Sequence, residues 1–158
     1  MFKKIIVPLD GSAMSERALT KAKELSTALH APLVLVRVVD TASIIRLSGV
    51  GTGVGMDYGM VPEILSEEQD DSKTYLETVI KQIQTEGLDV SGEVKQGQTA
   101  PAIVDSATAE DVIVIASHGR TGVQRWFLGS VAEDVIRRAH CPVLLIREHP
   151  EDKHVEKS

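Results

Sequence analysis

Two stretches bring together residue types that could hold a ligand. In "PLDGS" (8–12), Pro8 and Leu9 lead into Asp10, Gly11 and Ser12. A carboxylate there can accept hydrogen bonds from a ribose or a base, and glycine permits the tight turn that would present it. A plainer account is also open, because Asp10 and Ser12 both suit the start of a helix, with Ser12 as its N-cap. In "IASHGRTGVQRWFLGSVAEDVI" (115–136), Gly119, Gly122 and Gly129 allow close backbone approach and positive φ, and Ser130 opens an amphipathic stretch. The unbonded N–H groups of a first helical turn make an anion site, to which Arg120 or Arg125 could add positive charge. No Gly-Lys-Ser/Thr is present, so the segment is not a P-loop. The plainer account is strong here too. Ser130-Val131-Ala132-Glu133 has the form of a capping box, with Glu133 reaching back to Ser130. A carboxylate so placed would oppose a phosphate by about 0.3–1 kcal/mol.

Both stretches follow apolar runs. "KIIVPL" (4–9), "PLVLVRVV" (32–39), "DVIVIA" (111–116) and "CPVLLIR" (141–147) are continuous rather than alternating. That pattern fits strands buried on both faces of a parallel sheet. A weaker, polar strand at 89–96 reads as an edge. Helical spacing recurs over 12–29, 63–86, 100–109 and 130–139, with Thr99 as an N-cap and Pro101 in the first turn of the third of these. The order β-α-β-α-β-α-β-α-β with right-handed crossovers predicts an α/β, Rossmann-like, doubly wound five-stranded parallel sheet with helices on both faces. If strands one and four flank the point of reversal, the strand order is 3-2-1-4-5 and one crevice opens at their carboxyl ends. Pro8 removes a ladder donor from a central strand, which is tolerable only where pairing is already loosening.

The domain is expected to span 1–148, followed by a polar, frayed tail over 149–158. Residues 41–62 form a long link containing "SGVGTGVGMDYGM". Its glycines do not match a dinucleotide fingerprint, because Gly51 and Gly53 would require glycine where Met56 stands. A flexible excursion is the simpler reading, and a lid over a ligand is the alternative. The fifth strand should lie at an edge, yet "PVLLI" carries nothing to blunt it. The same strand of a second copy is the expected cover, giving a homodimer through residues 142–147.

A chain of 158 residues with net charge −6 and no basic stretch beyond isolated pairs is a poor partner for nucleic acid or an anionic membrane. No run reaches membrane-spanning length. The apolar run near the N-terminus is too short for a signal peptide. The single Cys141 excludes an internal disulfide framework and suits a reducing interior, so a cytoplasmic location is expected.

Other candidates are weaker. His118 could act as a general base, but the sequence places no nucleophile or orienting acid beside it; a phosphate-edge or supporting role is the simpler reading. His149 and His154 have no metal-ligand spacing. Trp126 and Phe127 could cover a ligand or a dimer seam, or simply pack the loop. Cys141 reads as a buried inert thiol.

The segment "VIVIASHGRTGVQRWFLGSVAEDVIRRAHCPVLLI", the opening "KKIIVPLDGS" and the second strand's "VRVVD" together resemble the universal stress protein family. The family's ATP-binding signature runs Gly-x2-Gly-x9-Gly-Ser/Thr. Here Gly119 is followed by nine residues and then Gly129-Ser130, while Ala116 stands where the signature has its first glycine. The resemblance covers nearly the whole chain apart from the link at 41–62. It implies that Asp10 contacts the adenosine with Pro8 and Leu9 near the base, and that Val38 offers its backbone to adenine. Ala116 and Gly119 would lie along the ribose and phosphates. Gly129, Ser130 and Val131 would hold phosphates. The implied ligand is ATP, with any Mg²⁺ carried mainly by its phosphates. The implied role is regulatory or protective in a stress response. No residue is assigned a catalytic role. The competing readings are a scaffold of the same fold that binds no nucleotide, and a slow nucleotide hydrolase or autophosphorylating protein using His118.

Overall fold

A computed structural model describes residues 1–47, 60–118 and 128–147 of the protein. The chain forms one five-stranded sheet of order β3-β2-β1-β4-β5, every neighbouring pair being parallel. The strands are β1 (Ile5–Pro8), β2 (Leu33–Asp40), β3 (Val90–Gly97), β4 (Val112–Ala116) and β5 (Val143–Ile146). The helices are α1 (Ala13–Leu29), α2 (Thr41–Leu47), α3 (Val61–Thr85), α4 (Thr99–Val104) and α5 (Ser130–Arg138). The expected class and strand order are both observed, and polar β3 is an edge as its composition suggested.

Alternation along the central strands divides the core in two. Ile5, Val7, Leu33, Leu35, Val112 and Val114 pack with Ala18, Ala22, Leu76 and Ile83 of α1 and α3 on one face. Ile6, Val34, Val36, Ile113 and Ile115 pack with Ala100, Ile103, Ala132 and Val135 of α4 and α5 on the other. Both faces of the strands are therefore apolar, which is why the runs read as continuous.

Pro8 sits where its missing N–H does least harm. Lys4 O accepts from Val112 N–H at 3.1 Å, so the even-numbered residues of β1 face β4. The β1–β4 pairing is confined to Ile5↔Val112 and Ile6↔Ile113. The next donor toward β4 would come from residue 8, and proline has none. The β1–β4 pairing ends before Pro8, which lines the cleft described below.

Four expectations need correction. The link at 41–62 is not wholly an excursion, because α2 follows β2 directly. Asp40 starts it in the manner of an N-cap, its carboxylate accepting from Ser43 N–H at 3.1 Å and Ser43 Oγ at 2.7 Å. Helix α4 ends at Val104 instead of continuing to 109. Thr99 is its first helical residue and not its N-cap, which is Gln98 with no side-chain cap bond. The capping box at Ser130 does not form. Gly129 is the N-cap, and the Glu133 carboxylate instead accepts from Arg137 Nη2 at 2.6 Å. The cause is a tether one residue upstream: Gly129 N–H donates to Ser117 O at 2.8 Å, which fixes the helix start at the end of β4. The remaining link residues 48–59, residue 148 and the tail 149–158 lie outside the described residues.

Candidate functional site

A cleft of about 620 Å³ lies at the carboxyl ends of β1, β2 and β4. Its size is ordinary for a small-molecule site, and it lies at the topological switch point where doubly wound sheets take ligands. Of the residues singled out in the sequence, it brings together Pro8, Leu9, Asp10, Val38, Ala116, Gly129, Ser130 and Val131, with His118 beside them. Gly119 and Arg120 lie outside the described residues, as do Gly122, Arg125, Trp126 and Phe127.

Asp10 is placed by the turn that follows β1. Gly11 takes φ 81°, a left-handed conformation that favours glycine. Asp10 Oδ1 then accepts from Ser12 N–H at 2.9 Å, and Ser12 Oγ caps α1 through Ser15 N–H at 3.2 Å. The folding role and the position at the cleft are thus compatible, because they use the same carboxylate at the same turn.

The opposite wall is the start of α5. The first bond within this helix runs from Glu133 N–H to Gly129 O at 2.9 Å, so the N–H groups of Ser130, Val131 and Ala132 have no helical acceptor. All three residues line the cleft. Gly129 has an ordinary φ of −62°, so its need for glycine is spatial. A Cβ there would lie 2.9 Å from Ser117 O and 3.4 Å from His118 Cα. Ser117 is the anchor for this arrangement: it is 1% exposed, and its N–H donates to Ile146 O at 2.8 Å.

Val38 lies inside β2 on the β3 side, where it is in register with Lys95. On the other side it lies beyond the end of β1. Ala116 is an ordinary strand residue; among the described non-glycine residues only His30 has positive φ. The buried methyl of Ala116 belongs to the core cluster that includes Val7, Leu9 and Val114. Glycine's special conformations are therefore not needed at 116.

His118 Nδ1 lies 2.9 Å from Ser117 Oγ, while its Nε2 is buried without a hydrogen-bond partner among the described residues. A buried ring nitrogen without a partner carries a desolvation cost that a ligand could relieve. The ring's hydrogen-bond neighbour among the described residues is a hydroxyl and not the carboxylate that orients an activated histidine base. Among the described residues no cluster of three or more His, Cys, Asp or Glu side chains could hold a metal. Cys141 is half-buried. Burial first, and the Asp111 carboxylate second, raise its thiol above the usual range, so it is a poor nucleophile at neutral pH.

The sequence reading passed over Arg37, Asp40, Ser43 and Glu68, which also line the cleft. One signal was available: Arg37 is a charge in the middle of the apolar run "LVLVRVVD".

A switch-point crevice walled on one side by an acidic turn and on the other by the start of α5 defines a doubly wound α/β domain with a small-molecule-sized cleft. The chain belongs to the Universal stress protein family, whose family model matches residues 1–147. It is 34% identical over 150 residues to Universal stress protein MJ0531 of Methanocaldococcus jannaschii, covering 94% of this chain and 84% of that one. It is 30% identical over 158 residues to Universal stress protein MJ0577 of the same organism, covering 93% and 96% of the two chains. The solved structure of MJ0577 superimposes with a TM-score of 0.78, covering 94% of this chain and 98% of that chain at 28% identity. A universal stress protein from Archaeoglobus fulgidus, solved in complex with dAMP, has a TM-score of 0.56 at 26% identity, covering 92% and 98%. Among the described residues no helix is long and apolar enough to cross a membrane.

Proposed function

We propose that the cleft binds an adenine nucleotide, ATP, and that its occupancy regulates what the protein contacts during a stress response. The base lies against the Val38 backbone with Pro8 and Leu9 beside it. The ribose lies at Asp10, and the phosphates run past Ala116 to Gly129, Ser130 and Val131. Gly119 and Arg120, which follow His118 in sequence, are proposed to complete the phosphate cradle, and any Mg²⁺ rides on the phosphates. The observation that carries this reading is the α5 terminus. Three residues whose amides have no helical acceptor line the cleft, beside a glycine whose Cβ would collide with backbone. The orphaned His118 Nε2 and the dAMP complex of the Archaeoglobus relative support it.

The test is direct. Protein purified and then denatured should release an adenine nucleotide detectable by mass. ATP with Mg²⁺ added to the emptied protein should raise its melting temperature. At a hundredfold excess over Kd the stabilisation is about 2.7 kcal/mol, a rise of several degrees for a domain of this size. No released nucleotide together with no thermal shift would favour a scaffold that binds none.

The proposed protein is a cytoplasmic homodimer. β5 is the sheet's outer strand, and its Leu144 is 41% exposed. Ile113 N–H donates to Pro142 O and Ser117 N–H to Ile146 O, so the even-numbered residues of β5 face β4 and Leu145 offers its N–H outward. Light scattering should give twice the chain mass of 17.1 kDa. Leu145→Pro removes an outward donor while leaving the β4 ladder intact, and it should shift the protein to the single-chain mass with its circular dichroism retained. A single-chain mass for the unmodified protein would rule the dimer out.

A further inference from the structure

The β1–β2 ladder stops one bond short of where the chains would allow it. Ile5 N–H donates to Pro32 O and Leu9 N–H to Val36 O, each at 2.9 Å. In a parallel ladder the next bond of that series would run from Val38 N–H to Leu9 O. It is not formed, and strand pairing ends at Pro8↔Val36. The Leu9 carbonyl accepts instead from Arg37 Nη1 at 3.4 Å. The Arg37 guanidinium also lies over the ring of Tyr75 on α3, 5.2 Å from its centroid. The ring thus holds the side chain on the face away from α4 and α5, where it can turn back to the end of β1.

We propose that Arg37 is a positioning residue for base recognition: by occupying the Leu9 carbonyl, it keeps the Val38 N–H and C=O available to the base. The proposal rests on the reading that the cleft takes a nucleotide. The N–H and C=O of one strand residue point to the same side. Val36 O points to β1, so both polar groups of Val38, two residues on, point that way too, past the strand's end and into the cleft. The pairing edge of adenine sets an acceptor, N1, beside a donor, the N6 amine. Val38 offers the complementary donor and acceptor. Hypoxanthine reverses both, with N1–H and O6, so the ratio of ATP to inosine triphosphate affinity reports on recognition of the base's pairing edge. Inorganic tripolyphosphate reports on the α5 end alone.

Arg37→Met keeps a long side chain over Tyr75 but removes the donor, and Arg37→Lys restores a cation that can reach Leu9. In the ligand-free protein, amide exchange at Val38 should slow by about tenfold or more in Arg37→Met as Val38 pairs with Leu9. ATP affinity should fall about tenfold and the ATP-to-inosine triphosphate ratio should move toward one. Tripolyphosphate affinity should hold, and Arg37→Lys should recover the ratio. Tyr75→Leu, which leaves Arg37 in place without its ring, should produce the same changes in smaller degree and serves if Arg37→Met does not fold. Unchanged Val38 exchange, an unchanged ratio, or a parallel loss of tripolyphosphate binding would each overturn the role. Should the unmodified protein bind neither nucleotide, the nucleotide reading fails, and the exchange arm still decides whether Arg37 holds the ladder open.

Discussion

Gly129→Ala is expected to lose ATP binding by about 10–100-fold and to lower stability by about 1–3 kcal/mol. The added methyl would lie 2.9 Å from Ser117 O, a backbone atom that cannot turn aside as a side chain could. Ser117 is itself held by Ile146 on one side and by the Gly129 N–H on the other. The clash is therefore relieved by moving the start of α5, which carries the Ser130 and Val131 amides away from the phosphates. A stability loss alone would not prove this, so a matched control is needed. Gly87 has φ +80°, and a Cβ added there would meet nothing within 4 Å, so alanine at 87 costs about 1–2 kcal/mol through conformation alone. Gly87→Ala should leave ATP affinity unchanged while lowering the melting temperature comparably. Isothermal titration with thermal melting of both variants separates the two effects. Full ATP affinity in Gly129→Ala would show that the α5 terminus does not hold the phosphates.

The fold was legible because its central strands are buried on both faces. Ile5, Ile6 and Val7 are all inaccessible, and a strand that must be apolar on both sides leaves a continuous run in the sequence. Pro8 was legible as a place where pairing loosens, but the consequence was not. Only the register shows that its missing donor is the one that would have continued the β1–β4 ladder. The errors lie where one residue serves two elements. Asp40 is both the last residue of β2, in register with Gly97, and the start of α2 through Ser43. A scan that closes the strand before opening a helix misses the second role. Ser130-x-x-Glu133 has the form of a capping box, but the start of α5 is set by a non-local bond between Gly129 and Ser117, which no local pattern encodes.

The site divides along the same line. Asp10 and Gly129-Ser130 were visible because turn and helix-start chemistry leaves local signatures. Arg37 was visible only as an anomaly, since Leu9 and Tyr75, which it meets, are remote in sequence. Ala116, where the family signature has glycine, is an ordinary buried strand residue in the structure. Its methyl is packed with Val7, Leu9 and Val114, and its backbone conformation needs no glycine.

Substitutions at Asp10 are expected to separate its two roles, with opposite signs if the nucleotide's orientation is reversed. Asp10→Ala removes the acceptor for Ser12 N–H, which should cost about 0.5–2 kcal/mol of stability, as losing a helix-start acceptor does. It should also lower ATP affinity by about 10–100-fold, the cost of losing hydrogen bonds to a charged acceptor. Asp10→Asn keeps an oxygen for Ser12 N–H, so the melting temperature should hold, while the weaker acceptor lowers ATP affinity by about tenfold. The sign of the Asn result is informative. A carboxylate beside the ribose attracts hydroxyl donors, and removing its charge weakens binding of AMP and ATP alike. A carboxylate beside the phosphates repels them, and removing its charge would strengthen ATP binding more than AMP binding, because ATP carries more negative charge. Titrations of Asp10→Asn with both nucleotides should show a parallel loss. A gain for ATP over AMP would place the phosphates at the β1 turn and the base at the α5 end, reversing the proposed orientation in the cleft.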